Sequence, residues 1–265
     1  MEVYIILEKL NIYDRSYLIG LFQGDGHLYQ ATRNRGKFIY EVAIRDRDII
    51  YKIEKILSPY VNVSIYEKIR DTNFKDKFHS IGFNIYYKDF RTEISEYIPY
   101  GKRPEYINIP QWISKRDYIR GLIDADGSLG FSKYGFCFLS FFTVSENIKN
   151  FIINDMRENI GVIKKINRNK RDLAYNILLY REDAQDYARI LYEDANLYIE
   201  RKYNKYLDIL KWIRDPNVKR GYKRSWTKRE NEIISMNNIS IEEKMFLLNR
   251  TKSSITTRLW RLKKT

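Results

Sequence analysis

The chain has 265 residues, enough for one large or two modest domains with a well-buried core. Hydrophobic content of 44% with 31% charged residues argues against a disordered chain, no apolar run approaches the ~20 residues that span a bilayer, and a single cysteine, Cys137, excludes an internal disulfide. A formal net charge of +14 favours polyanionic partners, nucleic acid ahead of an anionic membrane surface.

In chain order, the first feature is Leu18-Ile-Gly-Leu-Phe-Gln-Gly-Asp25-Gly26, an apolar helical turn ending in Asp-Gly. Asp14 is the expected N-cap of that helix, and Gly26 its left-handed exit. Strands are expected over His27–Arg33 and Lys37–Arg45, a helix over Asp48–Leu57, strands near Val61–Ile69 and Phe78–Tyr87, and a helix from Asp89 to about Tyr97. Prolines then punctuate the chain between Pro99 and Pro110.

The pattern restarts at Ile119-Arg-Gly-Leu-Ile-Asp-Ala-Asp126-Gly127, 101 residues after the first copy. Ser114-Lys-Arg-Asp117 reads as a capping box before it, and Gly127 as a second left-handed exit. Strands follow near Ser128–Tyr134 and Phe136–Val144, a helix near Glu146–Asn159, strands near Val162–Asn167 and Leu173–Tyr180, and a helix near Asp183–Glu193. Each half thus reads helix, two strands, helix, two strands, helix, which points to duplication.

A linker is expected at Asp215-Pro-Asn-Val-Lys-Arg-Gly221. From Lys219 onward 13 Lys and Arg face 4 Glu, so the last segment is a basic module. Capping boxes at Thr227-Lys-Arg-Glu230 and Ser240-Ile-Glu-Glu243 open two helices, through Met236 and over Ile241–Leu248, and a third runs from Lys252 to about Lys263. Ile233, Leu247, Leu248, Ile255, Leu259 and Leu262 are its expected core, under Trp226. The expected divisions are residues 1–110, 111–218 and 219–265.

Within the paired motif, Gly20 and Gly24 share one helix face, as do Gly121 and Ala125. Small residues at that spacing let two helix backbones approach closely. Leu18, Leu21, Leu122 and Ile123 would anchor each helix in its own half. Asp25 and Asp126 then sit together, each at the negative end of a helix dipole, and two such carboxylates need protons or a divalent cation. With the carbonyls of Gly24 and Ala125 they form a hard oxygen site suited to Mg²⁺, able to activate water and stabilise the leaving oxygen of a phosphodiester. A calcium-loop reading of Asp124-Ala-Asp126-Gly127 fails, because glycine follows the second aspartate directly and no glutamate closes the loop. A single such motif is commonly just a helix ending in an Asp-Gly turn; two in register within a repeated order are not.

The pair resembles the LAGLIDADG homing endonucleases in their single-chain, two-motif form. The second copy matches the nine-residue consensus at seven positions, departing at Ile119 and Arg120, and the first carries Gln23 where the consensus has its earlier aspartate. The resemblance spans about Tyr13 to Ile213. It implies an α+β protein of two pseudo-symmetric αββαββα halves packed through the motif helices, with sheets forming a saddle on DNA. It implies Mg²⁺, with Mn²⁺ as a substitute, held by Asp25 and Asp126. Each site would cut one strand across the minor groove of a long, non-palindromic duplex, and alternate strand residues would read the major groove. Polar or basic family residues at the ends of the second and fourth strands correspond by position to Asp46 and Lys88, and to Glu146 and Arg181. Lys88 and Arg181 are the candidates for stabilising phosphate charge.

Basic clusters at expected strand tips would grip the backbone: Arg33, Arg35 and Lys37 in the first half, then Lys164, Lys165, Arg168, Lys170 and Arg171. The C-terminal module resembles Myb/SANT-like helix-turn-helix units, which would turn Lys252, Ser253, Thr256, Thr257 and Arg261 toward the major groove. The leading expectation is therefore a monomeric, Mg²⁺-dependent, site-specific double-strand DNA endonuclease. The alternative is an intron RNA maturase or a non-cleaving DNA-binding protein on the same scaffold. An intein is disfavoured, with no nucleophile at Met1 and no His-Asn ending at Lys264-Thr265. Serine or cysteine triads find little support, since His27 and His79 are the only histidines. The single cysteine and the absence of a recognisable signal peptide lead to an expected intracellular, reducing setting such as cytoplasm, nucleoid or organelle matrix, without secretion or a membrane partner.

Overall fold

The computed structural model describes residues 6–30, 32, 35–71, 76–98, 107–214 and 226–262. Arg33, the proline run from Pro99 to Pro104 and the linker from Asp215 to Gly221 lie outside the described residues.

Two helices form the centre. Helix α1 (Ile12–Asp25) is buried continuously from Ser16 to Phe22, and α4 (Lys115–Asp126) from Asp117 to Asp124. Burial around a full circumference means packing on every side, unlike a surface helix with one apolar stripe. The two pack on each other, and α1 also packs onto its own sheet, where the Phe22 ring lies 4.7 Å from Phe38 and 5.5 Å from Tyr40. The N-cap of α1 is Asn11 rather than Asp14: its Oδ1 accepts from the amides of Tyr13 and Asp14, and its Nδ2 donates to Asp14 at 2.7 Å. Ser114 caps α4 without the expected box, because Asp117 is instead committed to Arg120 at 2.6 Å and to the Ser114 hydroxyl at 2.5 Å.

In the first half, β1 (His27–Gln30), β2 (Gly36–Ala43), β3 (Ser64–Arg70) and β4 (Phe78–Ile85) form an antiparallel sheet in the order β1-β2-β4-β3. Helices α2 (Arg47–Leu57) and α3 (Lys88–Ser95) complete that half. Phe38, Tyr40, Ile81, Phe83 and Ile85 alternate inward, as a sheet with one covered face requires.

In the second half, β5 (Gly127–Phe131), β6 (Cys137–Thr143) and β7 (Tyr175–Tyr180) form a sheet of only three strands, flanked by α5 (Glu146–Ile160) and α6 (Arg181–Tyr192). The strand expected at Val162–Asn167 does not form. The Lys164 ammonium donates to the carbonyl of Leu178 on β7, taking an acceptor on that strand. An unanticipated helix, α7 (Glu200–Leu210), follows and ties the halves together. Arg201 makes a two-pronged ion pair to Asp46 at 2.7 and 2.8 Å, and Lys52 reaches Glu200 at 2.8 Å.

The C-terminal segment is three helices, α8 (Lys228–Ser235), α9 (Ile241–Leu248) and α10 (Lys252–Leu262), with both capping boxes formed. Its core is Ile234, Leu248 and Ile255, with Trp226, Ile233, Leu259 and Leu262 against it. Leu247, expected inside, is 60% exposed, because the inward row of α9 runs through Lys244 and Leu248, four residues apart. Glu230 closes a box and also pairs with Arg250 at 3.0 Å, whose guanidinium stacks 3.9 Å from the centre of the Trp226 ring. No described helix is long and apolar enough to cross a membrane.

Candidate active site and nucleic-acid interface

The motif helices touch backbone to backbone. A methyl group on Gly20 would overlap the Tyr118 carbonyl, and one on Gly121 would overlap the Tyr17 carbonyl and stand 2.8 Å from the Leu21 amide. Gly24 lies directly against the Ala125 methyl. The expected interface of Gly20, Gly24, Gly121 and Ala125 is therefore present, with each central glycine seated on the opposite tyrosine's carbonyl. Gly26 and Gly127 exit their helices with φ of −74° and −92°, extended rather than left-handed. Glycine is needed there for space: a side chain would collide with the Phe22 carbonyl, or stand 2.6 Å from the Ile123 carbonyl.

The same contact assembles the acidic site. A Cβ placed on Gly24 would be 3.2 Å from Asp126 Oδ2, so the Asp126 carboxylate reaches across to the last turn of α1, one residue from Asp25. Asp25, Asp126, Gly24 and Ala125 thus converge where the two helices end. A cavity of about 310 Å³ opens beside them, with Gly24, Gly26, Asp126, Phe142 and Thr143 in its wall.

A second layer of pairs lies behind the aspartates. Tyr17 donates its hydroxyl to Asp124 at 2.6 Å, and Tyr118 donates to Gln23 at 2.5 Å, one contact seen twice across the helix pair. Asp124 also accepts from the Tyr192 hydroxyl at 2.6 Å and the Ile199 amide at 3.0 Å. Burial pushes the Asp124 carboxyl above the usual aspartate range, against the opposing pull of Lys202 and these donors. Lys202, in the first turn of α7, is buried and donates to the carbonyls of Ile123 and Asp124 at 2.6 Å and of Gly127 at 3.0 Å. Its ammonium sits at the negative end of the α4 dipole, where a cation is favoured. Burial pulls its pKa below the ordinary lysine value, and nearby Asp124 opposes that shift. Sequence reading missed Lys202, since Glu200-Arg201-Lys202 looks like a solvated charge run.

Two carboxylates from different helices, beside main-chain carbonyls, are a donor set that fits a hard divalent cation. The space fits as well, because the cavity of about 310 Å³ opens directly beside Asp126. Among the described residues no group of three or more His, Cys, Asp and Glu converges. A cation here would therefore draw the rest of its shell from phosphate oxygens and water, as Mg²⁺ commonly does.

Strand polarity separates Lys88 and Arg181 from this site. His27 pairs with Ile39, whereas the last residues of β4 pair toward the β1–β2 turn, with Ile85 opposite Phe38. Lys88 therefore lies past the hairpin end of the sheet, remote from Asp25. Arg181 likewise follows Tyr180, which pairs with Phe138 near the β5–β6 turn, and stacks on Phe136 there with a positive φ of 57°. Asp46 and Glu146 lie at the aspartate end, but Asp46 is held by Arg201 and Glu146 by Lys149 at 2.9 Å.

Of the expected phosphate contacts, Arg35 and Lys165 are exposed, as is Lys170, while Lys37 is half-buried on β2. Lys164 is turned to the Leu178 carbonyl, Arg168 to the Tyr175 hydroxyl at 3.0 Å, and Arg171 pairs with Asp172 at 3.1 Å. On α10, Lys252, Ser253, Thr256, Thr257 and Arg261 are all exposed, with Trp260 beside them at 58% exposure.

Residues 13–95 match the LAGLIDADG-like domain family. No curated protein matches the chain by sequence. Its fold is similar to the homing endonuclease I-WcaI, solved bound to its DNA recognition sequence, with a TM-score of 0.51 at 17% identity over 74% of this chain and 87% of that one. It is also similar to the LAGLIDADG homing endonuclease I-SmaMI, solved bound to cleaved DNA, with a TM-score of 0.50 at 12% identity over 76% and 88% of the two chains. The architecture, two αβ halves joined through paired motif helices, is that of the LAGLIDADG homing endonuclease fold.

Proposed function

We propose that this chain is a site-specific double-strand DNA endonuclease that acts as a monomer, each half addressing one strand of a long, non-palindromic duplex. The observation that carries this reading is the meeting of Asp25 and Asp126 at one end of a backbone-tight helix pair, within a duplicated frame. One chain supplies both motifs, so no second copy is required.

Asp25 and Asp126, with the carbonyls of Gly24 and Ala125, would hold Mg²⁺, with Mn²⁺ as a substitute. A divalent cation there supplies Lewis acidity toward a scissile phosphate and acidifies water. Tyr17, Tyr118 and the small residues between them fix the distance between the two helix ends. Lys202 is a positioning residue: it ties down the last α4 carbonyls, from which Asp126 projects, and offsets their charge. The open faces of the two sheets would lie in the major groove, with Arg35, Lys37, Lys165 and Lys170 toward phosphates. Residues 219–265 extend the footprint as a helix-turn-helix unit of Myb/SANT type reading through α10, which adds affinity by effective concentration. The buried Cys137 thiol suits a reducing, intracellular setting.

The test is cleavage of a randomised plasmid library with Mg²⁺, Mn²⁺ or EDTA, comparing wild type with Asp25→Asn and Asp126→Asn. Specific double-strand cuts are expected from wild type with either metal, and loss of linear product in each variant while target binding persists. Cutting that survives both substitutions would refute the assignment. Binding without cutting by wild type would move the chain to the maturase or repressor class.

A further inference from the structure

At two of the three matching outward positions of their second strands the two sheets carry opposite chemistry, and at the third Ile39 stands where the second sheet has Ser140. Register makes the halves comparable, since His27 pairs with Ile39 and Ser128 with Ser140, each 101 residues on. On the uncovered face of the first sheet stand Lys37, Glu41, Tyr66, Lys68 and Arg70. Glu41, Tyr66, Lys68 and Arg70 form a charged cluster in which Glu41 accepts from Arg70 at 2.6 Å and from Tyr66 at 3.0 Å, with Lys37 further along β2. At the positions equivalent to Lys37 and Glu41 the second sheet carries Phe138 and Phe142. Across from these on β7 are Tyr180 and Asn176, with Leu178 between them opposite Ser140. Phe142 and Tyr180 remain 41% and 48% exposed, and no ionisable group other than the Tyr180 phenol stands on this face among the β5–β7 residues.

An uncovered apolar face ordinarily marks an interaction surface. Two features say which kind. The face continues into the wall of the cavity beside Asp126, through Phe142 and Thr143. It is also bordered by the segment carrying exposed Lys165 and Lys170, which is tied to β7 by Lys164, with Lys170 inside the turn closed by the Asn169 amide on the Ala174 carbonyl. A basic edge beside an apolar floor suits a polyanion whose interior edge is methylated. In a major groove that edge is thymine, whose 5-methyl group takes apolar contacts, while asparagine bonds adenine in a bidentate manner.

We propose that the second sheet reads thymine methyl groups, with Phe138, Phe142 and Leu178 packing on them and Asn176, directly across from Phe142, taking an adjacent adenine. The inference rests on the DNA-endonuclease reading. It makes the two half-sites unlike in kind: one is read through hydrogen bonds from a charged cluster, the other through methyl contacts. The same contacts would select DNA over RNA, because uracil lacks the methyl.

The experiment uses the full chain and its library-selected target, with thymine replaced by deoxyuridine in one half-site at a time. Substitution in the half facing the second sheet should weaken binding about fourfold per contacted methyl, and the other half should respond less. In Phe142→Ser and Leu178→Ser, checked for an unchanged melting temperature, the penalty for deoxyuridine should shrink; Asn176→Ala should relax selection for adenine while keeping the methyl effect. A target that is bound and cut but indifferent to deoxyuridine in both halves overturns this proposal and leaves the endonuclease reading intact. So does a selected target without thymine in the sensitive half. If Phe142→Ser abolishes self-association and leaves DNA binding unchanged, a second copy of the chain occupies the face instead. A chain that binds no duplex overturns both readings.

Discussion

The helix interface makes the sharpest prediction. In Gly121→Ala the new methyl would collide with the Tyr17 carbonyl and stand 2.8 Å from the Leu21 amide. Both are helix backbone, so no side-chain rotation relieves the overlap, and α1 and α4 must move apart. Overpacking of this kind costs about 3 kcal/mol. For a domain of this size that corresponds to a fall in melting temperature of about 6–12 °C. The consequence for activity is larger than stability alone accounts for, because the same separation draws Asp126 away from Asp25. A misplacement of about 1 Å lowers a rate on the order of a hundredfold. Thermal unfolding and plasmid cleavage, measured at a temperature where the variant remains folded, separate the two effects. Gly135→Ala is the control: Gly135 has φ +75° in the β5–β6 turn with open space around it, so alanine there costs about 1 kcal/mol and spares cleavage. A Gly121→Ala protein with wild-type melting and wild-type cutting would refute the backbone-tight interface, and with it the convergence of the two aspartates.

Asp124→Asn should make stability less dependent on pH. Burial raises the folded-state pKa of Asp124, so the folded chain binds that proton more tightly than the unfolded one, and the group's contribution to stability is fullest below the ordinary aspartate pKa and fades as pH rises through the raised value. The melting temperature of the variant relative to wild type should therefore shift in the variant's favour as pH rises above the ordinary aspartate range; a constant offset would contradict it. Lys202→Met leaves the Ile123, Asp124 and Gly127 carbonyls without their ammonium and should cost about 3 kcal/mol, read by denaturant unfolding. Deleting residues after Arg220 should weaken target binding and flatten its salt dependence, whose slope falls by about 0.9 for each phosphate no longer neutralised, while single-turnover cleavage persists at saturating protein. Equal binding by the truncated chain would give the module another role.

Much of the frame was legible because it is written twice. The repeat at Asp25 and Asp126 fixed the helix pair, and period-two alternation placed seven strands near their observed positions. Where reading failed, long-range partners overrode local pattern. Val162–Asn167 alternates like a strand, yet Lys164 spends its ammonium on the β7 carbonyl that a strand neighbour would use. Helix α7 was missed because its opening charges look solvated, whereas Glu200, Arg201 and Lys202 each find a separate partner at Lys52, Asp46 and the end of α4. Lys88 and Arg181 follow from the family resemblance only by their place at the ends of the fourth strands. In an antiparallel sheet the second and fourth strands finish at the same end only if an even number of reversals separates them, and β2 and β4 are direct neighbours. Their ends therefore lie apart, and only pairing information reveals it.

The inequality of the two motif copies also follows from partners. Gln23 and Asp124 each accept a tyrosine hydroxyl from the opposite helix, so either side chain would satisfy that contact. What differs is the rest of the surroundings. The Gln23 amide nitrogen donates to the carbonyls of Tyr97 and Asn108, both at 3.1 Å, and a carboxylate there would face two acceptors with nothing to give. Asp124 meets the Tyr192 hydroxyl and the Ile199 amide, where an acceptor-only group fits. The charge it adds is balanced by Lys202 at the same helix end. Near α4, then, a buried anion and a buried cation offset each other, and near α1 a neutral amide fills the matching position. Asp25 and Asp126 thereby meet a similar net charge from this second layer although their neighbours differ, and a cation between them need not favour one helix end on that account.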